Sequence, residues 1–81
     1  MKREPVDSSN ISSIGYNEGS STLEVEFHGG SIYQYFDVPL NIYDGIMEAG
    51  SKGQYFAQHI KGYYRYAKVW FIIYWKVTNL K

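Results

Sequence analysis

Leu23-Glu24-Val25-Glu26-Phe27-His28-Gly29-Gly30-Ser31-Ile32-Tyr33-Gln34-Tyr35 is the stretch on which the fold turns. Leu23, Val25 and Phe27 alternate with Glu24 and Glu26, the period of two expected of a strand with one buried face. Gly29-Gly30 follows, and two glycines tolerate the positive φ that a two-residue hairpin loop demands. On that loop length Phe27 faces Ile32, Val25 faces Gln34 and Leu23 faces Phe36, so the apolar side chains share one face. The other face then sets Glu26 against Tyr33 and Glu24 against Tyr35, and both tyrosines stand away from the apolar seam. A one-residue change in loop length would bury them instead.

Upstream, Ile11 to Tyr16 fits a short strand closed by the turn-rich Asn17-Glu18-Gly19-Ser20-Ser21, which completes a three-stranded antiparallel meander. Residues 1–10 are polar and read as a flexible lead-in. Downstream, Val38-Pro39 opens a helix, with Asp37 placed to accept from its free amides. Val38, Ile42 and Ile46, then Tyr43 and Met47, recur at helical spacing, and Gly50 is placed to end the run. Ser51-Lys52-Gly53-Gln54 has the spacing of a capping box and starts a second short helix carrying Phe56 and Ile60, which Gly62 ends. The expected fold is α+β: the meander, two short helices on one face, and an added apolar strand at the C-terminus.

A chain of 81 residues has room for one modest core, and its stability margin is expected at roughly 5 kcal/mol. With 44% hydrophobic and 19% aromatic residues it is too apolar to stay unfolded. Without cysteine, neither disulfides nor zinc-thiolate sites are open to it. Residues 1–7 lack the apolar core of a secretion signal, and no run approaches the ~20 apolar residues that span a bilayer, so a cytoplasmic protein without membrane contact is expected. The zero net charge hides a split. Residues 1–48 hold all eight acids with only Lys2 and Arg3 as bases, whereas residues 49–81 hold six bases and no acid. That asymmetry fits a polyanion-facing surface, or two halves that neutralise each other on folding.

Taken in order, Ser8-Ser9-Asn10-Ile11, Gly15-Tyr16, the strand at 23–27, Gly30, Tyr33-x-Tyr35, Val38-Pro39, Tyr43, Ala49, Ser51-Lys52-Gly53, Phe56, Ile60 and Tyr64-x-Tyr66 resemble the KTSC domain, named after the C-terminal region of some lysyl-tRNA synthetases. The resemblance runs from about residue 7 to 69, and Gln58 departs from it where the family favours asparagine. It implies a KTSC-like domain over residues 11–68 with a C-terminal extension over 69–81. No established activity comes with it; nucleic-acid binding, RNA above all, is the function it suggests.

Physical chemistry gives that suggestion candidate residues. Exposed tyrosines on a sheet stack on unpaired bases at ~1–3 kcal/mol each while nearby cations hold phosphates. Tyr33 and Tyr35, with Lys61, Tyr64, Arg65 and Tyr66, would form such a platform, although on the two-residue loop Glu24 and Glu26 lie beside the strand tyrosines and repel phosphate. The same rings serve equally well as core packing. Lys52, at the start of the second helix, is a candidate phosphate ligand or simply part of a cap. His28 and His59 are the only histidines, and no triad, carboxylate pair or three-ligand metal set appears, so no catalytic residue, metal or cofactor is expected. Val69, Trp70, Phe71, Ile72, Ile73, Tyr74 and Trp75 form an apolar run between Lys68 and Lys76, too short to cross a membrane, which suits a strand covered within the chain or by another copy in a homo-oligomer. An interaction module built on that run is the alternative to RNA binding.

Overall fold

The computed structural model describes residues 1–69, which form a five-stranded antiparallel sheet with two helices on one face. The elements are β1 Arg3–Pro5, β2 Ile11–Asn17, β3 Thr22–Phe27, β4 Ile32–Tyr35, α1 Leu40–Glu48, α2 Lys52–His59 and β5 Tyr66–Lys68. Strand order follows the chain from β1 to β5. The α+β class and the helix pair are as the sequence indicates, but the meander has five strands and not three. Two short edge strands make the difference.

The lead-in 1–10 supplies one of them. Pro5 lacks an N–H, which only an edge strand tolerates, and β1 is that edge. Arg3 lies opposite Gly15, where a Cβ would sit 2.5 Å from the Lys2 carbonyl oxygen and 3.0 Å from Arg3 Cγ. The missing side chain of Gly15 therefore lets β1 close on β2. Gly15→Ala is expected to pry β1 away at a cost of about 1–3 kcal/mol, seen as a lower urea midpoint and lost amide protection in β1. Unchanged stability would mean that the β1 pairing contributes nothing.

Across β3 and β4 the register is Leu23 with Tyr35, Val25 with Tyr33, and Glu24 with Gln34. This corrects the sequence reading by one residue. The loop is His28-Gly29-Gly30, with φ of 103° and 99° at the two glycines, the Gly30 N–H donating to the Phe27 carbonyl and the Phe27 N–H to that of Ser31. A pair of glycines fits a two- or a three-residue loop equally well, and the longer loop turns Tyr33 and Tyr35 onto the face of Leu23, Val25 and Phe27.

That face is the core. Ile11, Ile14, Leu23, Val25, Val38, Ile46 and Ile60 are fully buried. Ile11 and Ile14, three apart, point the same way because the register shifts between Ile11 and Ser13, an irregularity that inserts one residue. Tyr16 stacks on Tyr43 of α1 at 4.9 Å and donates through its hydroxyl to the Val38 carbonyl. On the opposite face, Arg3 pairs with Glu24, Ser13 donates to Glu26 at 2.8 Å, and Gln34 donates to Glu24 at 2.8 Å. Arg3 thus neutralises the acidic strand from within its own half.

The helices follow their caps. Ser51 Oγ accepts from the Gln54 N–H, as the capping box requires. Asp37 does not cap α1, whose N-cap is Pro39 with no side-chain hydrogen bond. Its carboxylate turns to Arg65 at 2.7 Å. β5 is Tyr66–Lys68, just ahead of the apolar run expected as the added strand; of that run only Val69 is among the described residues, and the remaining interface candidates lie outside them.

Candidate functional site

Tyr33, Tyr35 and Tyr66 come together because β4 and β5 pair with Tyr35 opposite Tyr66 and Tyr33 opposite Lys68. Their ring centroids lie 5.7 Å apart for Tyr35 and Tyr66 and 5.9 Å for Tyr33 and Tyr66. Phe27 of β3 meets Tyr33 edge-on at 5.9 Å, and Phe56 of α2 meets both Tyr35 and Phe27 edge-on, at 5.4 and 5.3 Å. These five rings, with Lys61 and Gly62 of the turn after α2, line a groove of about 450 Å³.

Exposure is graded across the rings. Tyr35 is 6% exposed at the floor, Tyr33 is half-buried, and Tyr66 is 62% exposed at the rim. A large ring held at the surface beside other rings offers a π face to a flat ligand. Among the described residues Lys61 is the one charged side chain on the groove wall, and Lys68 Nζ lies 5.9 Å from the Tyr33 ring centre. Glu24 and Glu26, expected beside the tyrosines, sit on the other side of the sheet, held by Arg3, Ser13 and Gln34. The repulsion they would exert on phosphate is removed from the groove by that same change of register.

Burial pushes the Tyr35 hydroxyl from 10.0 up to about 12, and neighbouring Tyr33 and Tyr66 add to the shift. The folded protein keeps this proton where the unfolded chain loses it. The resulting stability is whole below pH 10 and is lost as pH rises from about 10 to about 12. Denaturation midpoints are expected to fall through that window, and Tyr35→Phe should flatten the fall; an identical alkaline limb in the variant would remove Tyr35 from the account.

The remaining candidates lie elsewhere. Lys52 Nζ donates to the Met47 and Ala49 carbonyls at 2.9 and 3.1 Å, closing the C-terminal end of α1, so its charge answers a helix end. Arg65 lies over the Phe36 ring at 5.7 Å and pairs with Asp37. Tyr64 is half-buried against the core. Phe27, Phe56 and Gly62 of the groove wall, and Lys68 beside it, are the residues that the sequence reading does not assign to a site. Phe27 was in view through its alternation with Val25, whereas Lys68 needed the start of β5 to be known. Among the described residues no cluster of three or more His, Asp or Glu side chains is placed to hold a metal ion, and no helix is long and apolar enough to cross a membrane.

The model of the KTSC domain matches residues 7–66, a span that contains every residue of the groove wall but not the neighbouring Lys68. A crystal structure of a KTSC domain protein from Yersinia pestis superimposes with a TM-score of 0.79 at 43% identity, covering 83% of this chain and 94% of that one. An uncharacterized protein of Stutzerimonas stutzeri is 40% identical over 70 residues, 85% of this chain and 99% of its own length. A lysine–tRNA ligase of Nostoc sp. (strain PCC 7120) is 44% identical over 59 residues. There the match covers 73% of this chain but spans only 10% of the ligase.

Proposed function

The chain belongs to the KTSC domain family, and from that premise we propose that it is a small binding module that takes single-stranded RNA in its aromatic groove. The observation that carries this reading is the Tyr66 ring, 62% exposed and 5.9 Å from Tyr33, with Lys61 and Lys68 beside the same rings. Stacked bases need a π face and their phosphates need cations, and among the described residues the groove has both without a carboxylate on its wall. The matching region of several relatives belongs to proteins named for a tRNA substrate, which agrees with an RNA ligand. Among the described residues the groove wall presents aromatic rings and an ammonium group, which suit binding of a base and its phosphate.

The test is an NMR titration of the labelled full chain with single-stranded RNA and with tRNA at low and moderate salt. Saturating shifts should cluster on Tyr33, Lys61, Tyr66 and Lys68. Two lysines engaging phosphates should give a slope of log affinity against log salt of about −1.4, taking roughly −0.7 per neutralised phosphate on a single strand. A spectrum that does not move with either RNA rejects the reading. Concentration-dependent shifts without RNA would favour self-association through residues 69–75.

A further inference from the structure

We infer that the groove is half of a two-nucleotide site, in which Lys61 holds the phosphodiester joining a base stacked on the aromatic rings to a neighbour seated in a second cavity; this rests on the RNA reading above. The second cavity, of about 420 Å³, shares Phe27, Phe56 and Lys61 with the aromatic groove. Both volumes fall within the ~300–1,000 Å³ common for small-ligand sites. Their remaining walls differ in chemistry. The first is finished by tyrosines, the second by Ser9, Asn10, His28 and Gly53.

The polar wall is a built surface. Ser8 Oγ accepts from the Asn10 and Ile11 N–H groups at 3.3 and 3.2 Å, which fixes the segment before β2. The hairpin tip ties to it twice: the His28 N–H donates to the Asn10 carbonyl and His28 Nε2 donates to the Ser8 carbonyl, both at 2.9 Å. Asn10 Nδ2 lies 3.4 Å from where a Cβ of residue 53 would stand, ordinary van der Waals distance, so the start of α2 lies directly against this wall. Hydroxyl, amide and imidazole groups suit a ribose and a base edge, which offer hydrogen bonds and no net charge. Among the described residues Lys61 is the one charged side chain common to both cavities, and a dinucleotide carries its single negative charge between its two nucleosides. No carboxylate among the described residues lines either cavity.

The experiment titrates the full chain with adenosine, 5′-AMP and the dinucleotide ApA, following amide shifts on both walls. Adenosine and 5′-AMP should move the aromatic wall, while ApA should move Ser9, Asn10 and Gly53 as well and bind about tenfold tighter than 5′-AMP. Lys61→Ala should weaken ApA more than adenosine. Asn10→Asp puts a negative charge in the second cavity alone; it should cost ApA about tenfold and leave adenosine within twofold. An ApA that binds no tighter than 5′-AMP, or an Asn10→Asp variant that weakens adenosine and ApA alike, overturns the two-nucleotide site while leaving RNA binding in place. Failure of every ligand, longer RNA included, overturns both readings together.

Discussion

Phe56→Ala is expected to remove most of the folding stability at 25 °C. Phe56 is 7% exposed and is the main side chain that α2 presses onto the sheet, with Phe27 and Tyr35 meeting it edge-on at 5.3 and 5.4 Å. Truncating a buried phenylalanine costs about 3–5 kcal/mol, part lost transfer energy and part cavity. A domain of this size has only roughly 5 kcal/mol to lose. The space left behind also opens toward both cavities, because Phe56 forms part of both walls. Phe56→Leu keeps most of the volume and should cost under about 1.5 kcal/mol. Tyr63→Ala, at a position 69% exposed, should stay within about 0.5 kcal/mol. Urea denaturation of the three variants measures the series, and a loss below about 1 kcal/mol for Phe56→Ala would show that α2 is not held to the sheet through this ring.

How much of this was legible in the sequence depends on which interaction set each feature. The alternation of Leu23, Val25 and Phe27 and the helical recurrence of Ile42, Ile46 and Met47 are burial patterns, and burial is written directly into residue type. The cap at Ser51 is equally local. Hairpin register was not legible, because it hangs on whether His28 belongs to the strand or to the loop, and the two glycines after it permit either. The consequence is out of proportion to the cause. One residue of loop moves Tyr33 and Tyr35 from the face of Glu24 to the face of Phe56 and turns an obstructed platform into a groove.

The two edge strands escaped for a different reason. β1 and β5 each have three residues, too few to show a period, and their stability comes from a partner strand and not from their own composition. β1 depends on Gly15 leaving room and on Arg3 reaching Glu24. Lys52 was readable as a phosphate ligand at the start of α2, yet it follows α1 closely enough to donate to that helix's last carbonyls. A lysine between two consecutive helices serves whichever end lies nearer, which the sequence alone does not reveal. The charge split resolves in the same manner: Arg3 and Arg65 pair with acids of the first half, and Lys52 caps α1. Lys61, by contrast, stands on the wall of the aromatic groove.

Tyr66→Ala is expected to lower affinity for single-stranded RNA by about 5- to 150-fold while leaving the fold in place, since one base–aromatic stack is worth ~1–3 kcal/mol. The two effects separate because Tyr66 is 62% exposed and buries little on folding, although it sits within 6 Å of two other rings. An unchanged amide spectrum away from β5 would confirm that the sheet survives. Tyr66→Phe retains the π face and should bind within about threefold of the parent, so a loss as large as that of alanine would assign the contact to the hydroxyl and not to stacking. Lys52→Ala removes the same charge as Lys61→Ala, but from the end of α1, and should change affinity far less. Equal losses for the two lysines would mean that only net charge matters, and that the convergence of Tyr33, Tyr66 and Lys61 on one groove is a packing result without a ligand.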